Sequence, residues 1–213
     1  MLEREQLALF DDAPPLSVKK IPFEDTKPFI LKIHYARRMP SISYAFGLFM
    51  GVELVGVCTF GPPASPWLCK GVAGEEHRKD VLELNRLVIR PDVQEKNLAS
   101  YLVGHSLRQL PKGLIIVSYA DAGGWGHIGY VYQATNFMYT GMTKRRTDMY
   151  SESGHSRHNC GDTSKRQERT AKHRYVYVTG NVKEIKNAIR YPVEKYPKGD
   201  SRHYETNKPV GIS

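Results

Sequence analysis

Hydrophobic and polar positions along this chain follow two spacings, one typical of strands and the other typical of helices. Apolar or alternating runs of strand type occupy residues 41–50, 54–60, 81–89, 113–120, 138–143 and 174–178. Helical spacing of apolar residues is found at residues 25–38, 97–110, 130–137 and 182–189. The order of these segments predicts an α+β fold in which helices flank a mixed, mainly antiparallel central sheet.

The chain is predicted to hold one domain over residues 21–199, since its length suits a single core. This domain contains a polar, basic insertion at residues 144–172 and ends in a C-terminal strand–helix extension. Residues 1–20 are predicted to form a loosely ordered lead-in, because they carry two adjacent prolines and two adjacent lysines. Residues 200–213 are predicted to be a tail.

Positive charge is concentrated in the last third of the chain. The net charge is +9, yet residues 1–142 hold 15 Lys/Arg against 14 Asp/Glu, whereas residues 143–213 hold 16 against 8. This asymmetry favours a polyanionic partner that presents a phosphate backbone. We expect phosphate contacts from the start of the insertion, at Lys144, Arg145 and Arg146.

Cysteine usage and hydropathy indicate a cytoplasmic setting. The three cysteines, Cys58, Cys69 and Cys160, are too scattered for a disulfide framework. No apolar run reaches membrane-spanning length, and the N-terminal residues are too charged for a signal peptide. His155, His158 and Cys160 do not match a standard zinc spacing, so no metal site is predicted, with iron or zinc kept as an alternative.

The segment from Ser118 to Gly141 concentrates hydrogen-bonding side chains around several glycines, directly after an apolar strand. This combination predicts a pocket at the end of that strand. Asp121 is the candidate general base, although a helix cap or an ion pair explains it as well. Tyr132 is the candidate acid that protonates a leaving group. The candidate substrate-binding residues in this segment are Ser118, His127, Gln133 and Asn136.

The element order resembles that of GNAT-type N-acyltransferases, in which a splayed pair of strands admits an acyl donor. That resemblance implies donor contacts at the end of the 81–89 strand and the start of the following helix. The candidates there are Arg86, Arg90, Asn97 and Ser100. The usual glycine-rich phosphate loop is missing, because Asn97 and Ser100 stand where glycines normally let a phosphate approach the backbone. An ordinary capped core helix explains these residues equally well.

Several motifs together resemble the bacteriophage Mom DNA-modification proteins over about residues 25–199. They are I-H-Y-A-R-R-M-P, L-x-R-L-V-I, N-L-A-S-Y-L-V, Y-A-D, Y-Q-A-T-N-F-x-Y-T-G and H-R-Y-V-Y-V-T-G. The resemblance implies a GNAT-like enzyme that converts adenine in duplex DNA to N6-carbamoylmethyladenine and so protects phage DNA from host restriction. Its pocket residues carry over to His34, Tyr35, Arg86, Asp121 and Tyr132.

The acyl donor stays open between glycyl-tRNA and acetyl-coenzyme A. A glycyl group supplies the additional nitrogen of the product, which an acetyl group lacks. We expect the adenine to leave the duplex and stack on Tyr35 or a tryptophan, while Asp121 or His34 removes a proton from N6. Two other hypotheses remain: a GNAT enzyme that acetylates a protein or small amine, and a basic DNA-binding module without catalysis. The sequence leaves the oligomeric state open, with a dimer among the alternatives.

Overall fold

A seven-stranded sheet forms the centre of the protein. The computed structural model describes residues 14–93, 95–123, 127–149 and 166–199. The strands of the main sheet are β1 Leu16–Lys20, β2 Tyr44–Met50, β3 Glu53–Gly61, β4 Val81–Ile89, β5 Ile115–Asp121, β6 Met138–Met142 and β9 Lys172–Val178. They lie side by side in the order β1-β2-β3-β4-β5-β9-β6. A separate two-stranded sheet consists of β7 Arg146–Met149 and β8 Arg166–Arg169, and we call it the ribbon.

Five α-helices connect these strands in the described part of the chain. They are α1 Phe23–Pro28, α2 Pro66–Ala73, α3 Leu98–Gln109, α4 Tyr130–Ala134 and α5 Lys183–Asn187. A π-helical turn, Phe29–Ile33, continues α1, and a 3-10 turn, Thr179–Asn181, precedes α5.

The two faces of the sheet carry two apolar clusters, each covered by different helices. On one face, Leu102 and Leu107 of α3 pack against strand residues such as Phe46 and Ile116. On the other face, Val72 of α2 packs with strand residues of β4, β5 and β9, and with partly buried residues of α5. Burial of these side chains on both sides of one sheet produces a single two-sided core.

The central strands β4 and β5 pair in parallel over a short distance only. Their register joins Val81–Glu83 to Ile115–Val117 and then stops. Every other neighbouring pair in the main sheet is antiparallel. Because β4 continues to Ile89 and β5 to Asp121, the two strands diverge beyond this point and leave a wedge-shaped gap between them.

Strand β9 lies between β5 and β6, although it follows both in the chain. It pairs antiparallel with β5 along its whole length, so that Ile115 lies opposite Val178 at one end and Asp121 lies opposite Lys172 at the other. The C-terminal residues beyond α5 then run along β6, where the Glu194 amide donates to the Tyr139 carbonyl at 2.9 Å. The strand of the predicted C-terminal extension is thus β9, which is internal to the sheet. The sequence did not predict that position.

Three local features differ from the expectation. Residues 16–20, expected to be loose, form the edge strand β1 because Val18 and its neighbours pair with β2. The helix expected over 25–38 ends at Ile33, since His34 adopts an extended conformation and Arg37 has a positive φ of 40°. Helix α2 was not predicted at all; its N-terminal proline and its buried Val72 account for it.

A search of the described residues finds no helix with the length and apolar character needed to cross a membrane.

Candidate active site

The gap between β4 and β5 collects polar side chains from four distant parts of the chain. Arg86 comes from β4, Ser118 from β5, Tyr132 from α4 and His34 from the turn after the π-helical segment. Pairs of these side chains lie close enough to interact: the charge of Arg86 adds to the effect of burial in lowering the pKa of His34, and the Ser118 hydroxyl opposes the rise that burial causes in the pKa of Tyr132. We call this wedge and its polar lining the cleft.

Tyr132 reaches the cleft from the face covered by α3. Burial raises the pKa of Tyr132 to about 12, and the Ser118 hydroxyl opposes that rise. Ser118 is buried, and its Oγ has no partner of regular hydrogen-bond geometry among the described residues. The phenol is therefore protonated at neutral pH, so Tyr132 is a proton donor beside a hydroxyl that is free to bind a ligand.

The backbone before Tyr132 is fixed by close packing. Gly129 has a φ of 78°, and a Cβ atom there would lie 2.6 Å from the Tyr175 ring. The side-chain amide of Gln133 donates from Nε2 to the Ile128 carbonyl and to the Tyr175 hydroxyl, both at 3.1 Å. Gln133 thus holds α4 in place, and only glycine fits position 129 without strain.

Arg86 is directed into the cleft by a β-bulge. Pairing between β3 and β4 skips one residue, so that Thr59 faces Arg86 and Phe60 faces Leu84. The skipped residue, Asn85, accepts from Thr59 Oγ1 at 2.6 Å and donates to the Ser41 carbonyl at 2.9 Å. These bonds fix the bulge, which reverses the side on which the following residues of β4 lie.

The Arg86 guanidinium is anchored and yet keeps a free donor. Its Nη1 donates to the Asn85 carbonyl at 2.6 Å and its Nη2 to the Arg38 carbonyl at 2.9 Å. Its Nε is buried, with no hydrogen-bond partner in the described ranges. Burial lowers the pKa of Arg86, but an arginine remains cationic at neutral pH. The group is therefore a fixed cation, held by two of its five N–H donors.

His34 is a neutral imidazole next to this cation. Burial, followed by the charge of Arg86, lowers the pKa of His34 to about 4. Its Nδ1 accepts from the Ala36 amide at 3.0 Å, so the hydrogen of the neutral ring is on Nε2. His34 can therefore donate a hydrogen bond from Nε2, and it is a poor base at neutral pH.

Tyr35 lies at the mouth of the cleft with its ring open to solvent. It is 87% exposed, and its ring stacks on His34. Single exposed apolar side chains are common on protein surfaces, so the position of Tyr35 beside the cleft, rather than its exposure, makes it a candidate contact. The other ring with comparable exposure in the described part is Trp67 on α2, at 78%, and Lys70 lies over its face.

Glu83 is a cleft residue that the sequence analysis did not select. It lies at the last paired position of β4, where the strands begin to diverge. Its charge acts on Arg86, Tyr119 and Tyr132. A lone carboxylate in the otherwise apolar run V-L-E-L was the signal that could have revealed it.

Asp121 is exposed at the end of β5. Its Oδ1 accepts from Thr170 Oγ1 at 2.5 Å and from the Gly123 amide at 2.9 Å. Burial raises the pKa of Asp121, but these two hydrogen bonds together with Lys172 and His127 outweigh it, so that the pKa lies below its usual value. The carboxylate is thus ionised and connects β5 to the end of β8.

The structure does not bring Arg90 into the cleft. Its guanidinium binds Asp92 and Glu53, and hydrogen bonds with these two carboxylates raise its pKa. Asn97 has a φ of 64°, and its carbonyl accepts from Ser100 Oγ at 2.9 Å. Glu95 and Lys96 are both exposed beside it, and Asn97 and Ser100 stand where glycines would let a phosphate approach the backbone.

The remaining sequence candidates lie outside the cleft or outside the described residues. His127 is exposed, and Asn136 is an exposed residue with a φ of 62° that ends α4. Lys144, Arg145 and Arg146 are exposed at the start of the ribbon. Trp125, His155, His158 and Cys160 fall outside the described residues; within them, no group of three metal ligands is found.

Comparison with solved structures agrees with this fold. A solved ribosomal-protein-S18-alanine N-acetyltransferase from Escherichia coli superposes with a TM-score of 0.50 at 14% identity, covering 80% of this chain and 97% of that one. A GNAT-family acetyltransferase from Bacillus cereus gives a TM-score of 0.45 at 12% identity, covering 78% of this chain and 98% of that one. The predicted GNAT-like α+β fold is confirmed.

Among sequence relatives, the methylcarbamoylase Mom of Escherichia phage Mu is 34% identical over 113 residues. That alignment covers 51% of this chain and 46% of the relative, so the match spans about half of each protein. The family model described as the Mom protein family matches residues 15–170, which include β1 to β8 and every residue placed in the cleft. The chain belongs to the Mom protein family.

Proposed function

We propose that this protein is a DNA-modification enzyme that transfers an acyl group to N6 of adenine and yields N6-carbamoylmethyladenine. The observation that carries the proposal is the cleft of a Mom-family chain, in which a protonated Tyr132 and a cationic Arg86 face one gap. In an infected cell the reaction would take place in the host cytoplasm, where it would protect phage DNA from restriction.

The exposed Tyr35 ring supports binding of an extruded base. Adenine within a duplex hides its N6 group in the stack, so an enzyme must take the nucleotide out before reaction. Stacking of one base on an aromatic side chain contributes about 1–3 kcal/mol. Tyr35 offers such a face beside the cleft, and His34 supports the ring from behind.

Arg86 and His34 are suited to stabilise the oxyanion of acyl transfer. Attack on an ester or thioester carbonyl places negative charge on its oxygen, and preorganised donors in a water-poor site are the most effective stabilisers. The free Nε of Arg86 and the Nε2–H of neutral His34 are two such donors. His34 therefore takes a donor role, which its low pKa allows at physiological pH.

Two carboxylates are candidates for the base that removes a proton from N6. Asp121 is ionised, but its Oδ1 is already used by Thr170 and Gly123. Glu83 lies where the strands diverge and interacts with Arg86 and Tyr132. We assign the base to Glu83, and we assign to Asp121 the role of holding the connection between β5 and β8. Substitution of each carboxylate distinguishes this assignment from one in which Asp121 is the base.

Tyr132 supplies the proton that the leaving group needs. An alkoxide or thiolate departs more easily when a neighbouring acid protonates it. The phenol is protonated at neutral pH, and Ser118 beside it can orient the donor ester.

The donor that we propose is a glycyl ester, delivered as glycyl-tRNA. The start of α3 lacks the glycines that usually let the phosphates of coenzyme A approach a helix N-terminus, whereas an ester of tRNA does not require that loop. Attack of N6 on the glycyl carbonyl forms the amide and releases the 3′-hydroxyl of the tRNA. The glycyl amine then attacks C6 through a five-membered ring, and N6 leaves as the terminal amide, so the second step is an isomerisation that gives adenine–NH–CH2–CONH2.

Nucleoside mass spectrometry of duplex DNA incubated with the full chain tests this proposal. We expect a modified adenine carrying both carbons and the nitrogen of isotopically labelled glycine when charged tRNA is supplied. Arg86→Gln should reduce the product at least tenfold, whereas Arg78→Gln, an exposed arginine away from the cleft, should not. Product formed from acetyl-coenzyme A without tRNA would reject the donor, and unmodified adenine with every donor would reject the function.

A further inference from the structure

The ribbon is a two-stranded unit whose own sequence favours an anionic partner. Arg146 lies directly opposite Arg169 across its strands, and Arg166 lies opposite Met149. Like charges at directly opposite positions weaken a strand pair. A polyanion bound along the ribbon would offset that repulsion.

The surroundings of the ribbon strengthen this charge. Residues 143–149 and 166–172 hold six Lys/Arg against two Asp/Glu. Four of the six cations are exposed: Lys144, Arg145, Arg146 and Arg166. None of these four forms a salt bridge with a carboxylate whose position the structure describes.

Hydrogen bonds connect the base of the ribbon to the end of β5. Thr170, which follows β8, donates to Asp121, and the Ala122 amide donates to the Ala171 carbonyl at 3.2 Å. On the other strand, Thr143 and Lys172 exchange two hydrogen bonds of 2.8 and 3.0 Å. The ribbon is therefore held in a defined position relative to the cleft.

Arg146 links the ribbon to the cleft electrostatically. Burial and Glu83 raise the pKa of Tyr119, while Arg174 and Arg146 oppose that rise. The same Tyr119 thus senses a cleft carboxylate and a ribbon arginine. Because the base of the ribbon is hydrogen-bonded to the end of β5, a partner bound along the ribbon lies near that end of the cleft.

We propose that the ribbon lies in the major groove of duplex DNA, with its arginines on the flanking phosphates, and so positions the target adenine over the cleft. The B-form major groove, about 12 Å wide, admits a two-stranded β-ribbon, and adenine displays its N6 group there. The major groove of duplex RNA is too narrow for side chains to read, so duplex RNA is not the partner. This inference rests on the proposed function.

Fluorescence anisotropy tests the placement of the ribbon on DNA. The measurement follows binding of the full chain to a short labelled duplex across a series of salt concentrations. We expect R146Q/R166Q to raise the Kd roughly tenfold or more and to reduce the slope of log K against log salt by about 1.8, as for the loss of two phosphate contacts. The control R78Q/R108Q removes the same charge from two exposed arginines outside the ribbon and should leave the slope unchanged.

Three outcomes overturn the proposal: equal affinity and slope for the wild type and the ribbon variant, no duplex binding by the wild type, and, with labelled tRNA measured in parallel, a loss of tRNA binding in the variant while duplex binding is unchanged. The measurement requires neither donor nor turnover. Its failure is therefore distinct from a failure to form the modified nucleoside.

The groove itself is tested with a duplex in which glucosylated hydroxymethylcytosine fills the major groove. The wild type should bind this duplex no better than R146Q/R166Q binds plain DNA. Equal wild-type affinity for both duplexes would overturn the placement in the major groove.

Discussion

The imidazole of His34 and the ring of Tyr35 are stacked, with their centroids 4.3 Å apart and an interplanar angle of 30°. The partner that supports Tyr35 is therefore its own chain neighbour, whose other edge is fixed by the Ala36 amide. An exposed ring that would otherwise rotate freely is held in one orientation beside the cleft. This pair is the part of the site that we expect to meet the base first.

Removal of the Tyr35 ring should weaken base binding and leave the fold intact. Tyr35→Ala is expected to reduce occupancy of an extruded base about 5- to 150-fold, since one base–aromatic stack contributes about 1–3 kcal/mol. Tyr35→Phe keeps the face and should retain most of the binding. Fluorescence of 2-aminopurine at the target position reports extrusion; an equal signal from the Ala and Phe variants would contradict the stacking role.

His34 should titrate far below an ordinary histidine. NMR of the ring protons is expected to give a pKa of about 4, and Arg86→Met should raise it, although less than full exposure would, because burial is the larger cause. The folded state binds fewer protons at this position than the unfolded state between the two pKa values. Stability from this group is therefore present above about pH 6.5 and is lost as the pH falls toward 4.

Replacement of His34 by glutamine should make acid unfolding less steep in that pH window. The glutamine amide keeps a hydrogen-bonding group but does not titrate, so the contribution of this position to the pH dependence of the free energy of unfolding disappears. Urea unfolding at several pH values measures this effect. A pH dependence that is the same in the variant and the wild type would show that other groups carry it.

Loss of the Tyr132 hydroxyl should slow the chemical step and spare the fold. Tyr132→Phe is expected to reduce kcat about 10²- to 10⁴-fold, the usual contribution of a general acid, while the Tm stays close to the wild-type value. Tyr130→Phe is the matched control on the same helix, because its ring is 39% exposed. Single-turnover product formation is the measurement, and equal losses in both variants would contradict the assignment.

Glu83 and Asp121 can be separated by their pH profiles. Glu83→Gln should abolish the acidic limb of the rate profile, because the base itself is missing. Asp121→Asn should retain that limb at a lower rate, since it weakens the contact to Thr170. Thr170→Val, which removes the same hydrogen bond from the other side, should resemble Asp121→Asn. The reverse pattern would return the base to Asp121.

Local periodicity was a reliable guide where an element is long and its apolar face is continuous. Strand β4 and helix α3 lie where the pattern predicted them, although the bulge at Asn85 interrupts the alternation of β4. Short elements were less well predicted. Helix α2 has eight residues and begins after a proline-rich turn, so its periodicity covers barely two turns.

The candidate site was predicted in part. His34, Arg86, Ser118 and Tyr132 were selected from the sequence, and the structure brings them to one cleft. Arg86 and Arg90 both fitted a strand-end arginine, with Arg86 preferred for the pocket, and the bulge at Asn85 and the pairing of Arg90 with two carboxylates distinguish them in the structure. Glu83 was missed because its importance depends on where β4 leaves β5, which no local pattern records.

The sequence by itself determined the element types, the concentration of positive charge after residue 142 and the family to which the chain belongs, because periodicity, composition and motifs are local properties. The tertiary structure decided the position of β9 between β5 and β6, the divergence of β4 from β5 and the neutral state of His34. These features depend on strand pairing between distant segments and on the exclusion of water around a side chain. Both are set by contacts that exist only after the chain has folded.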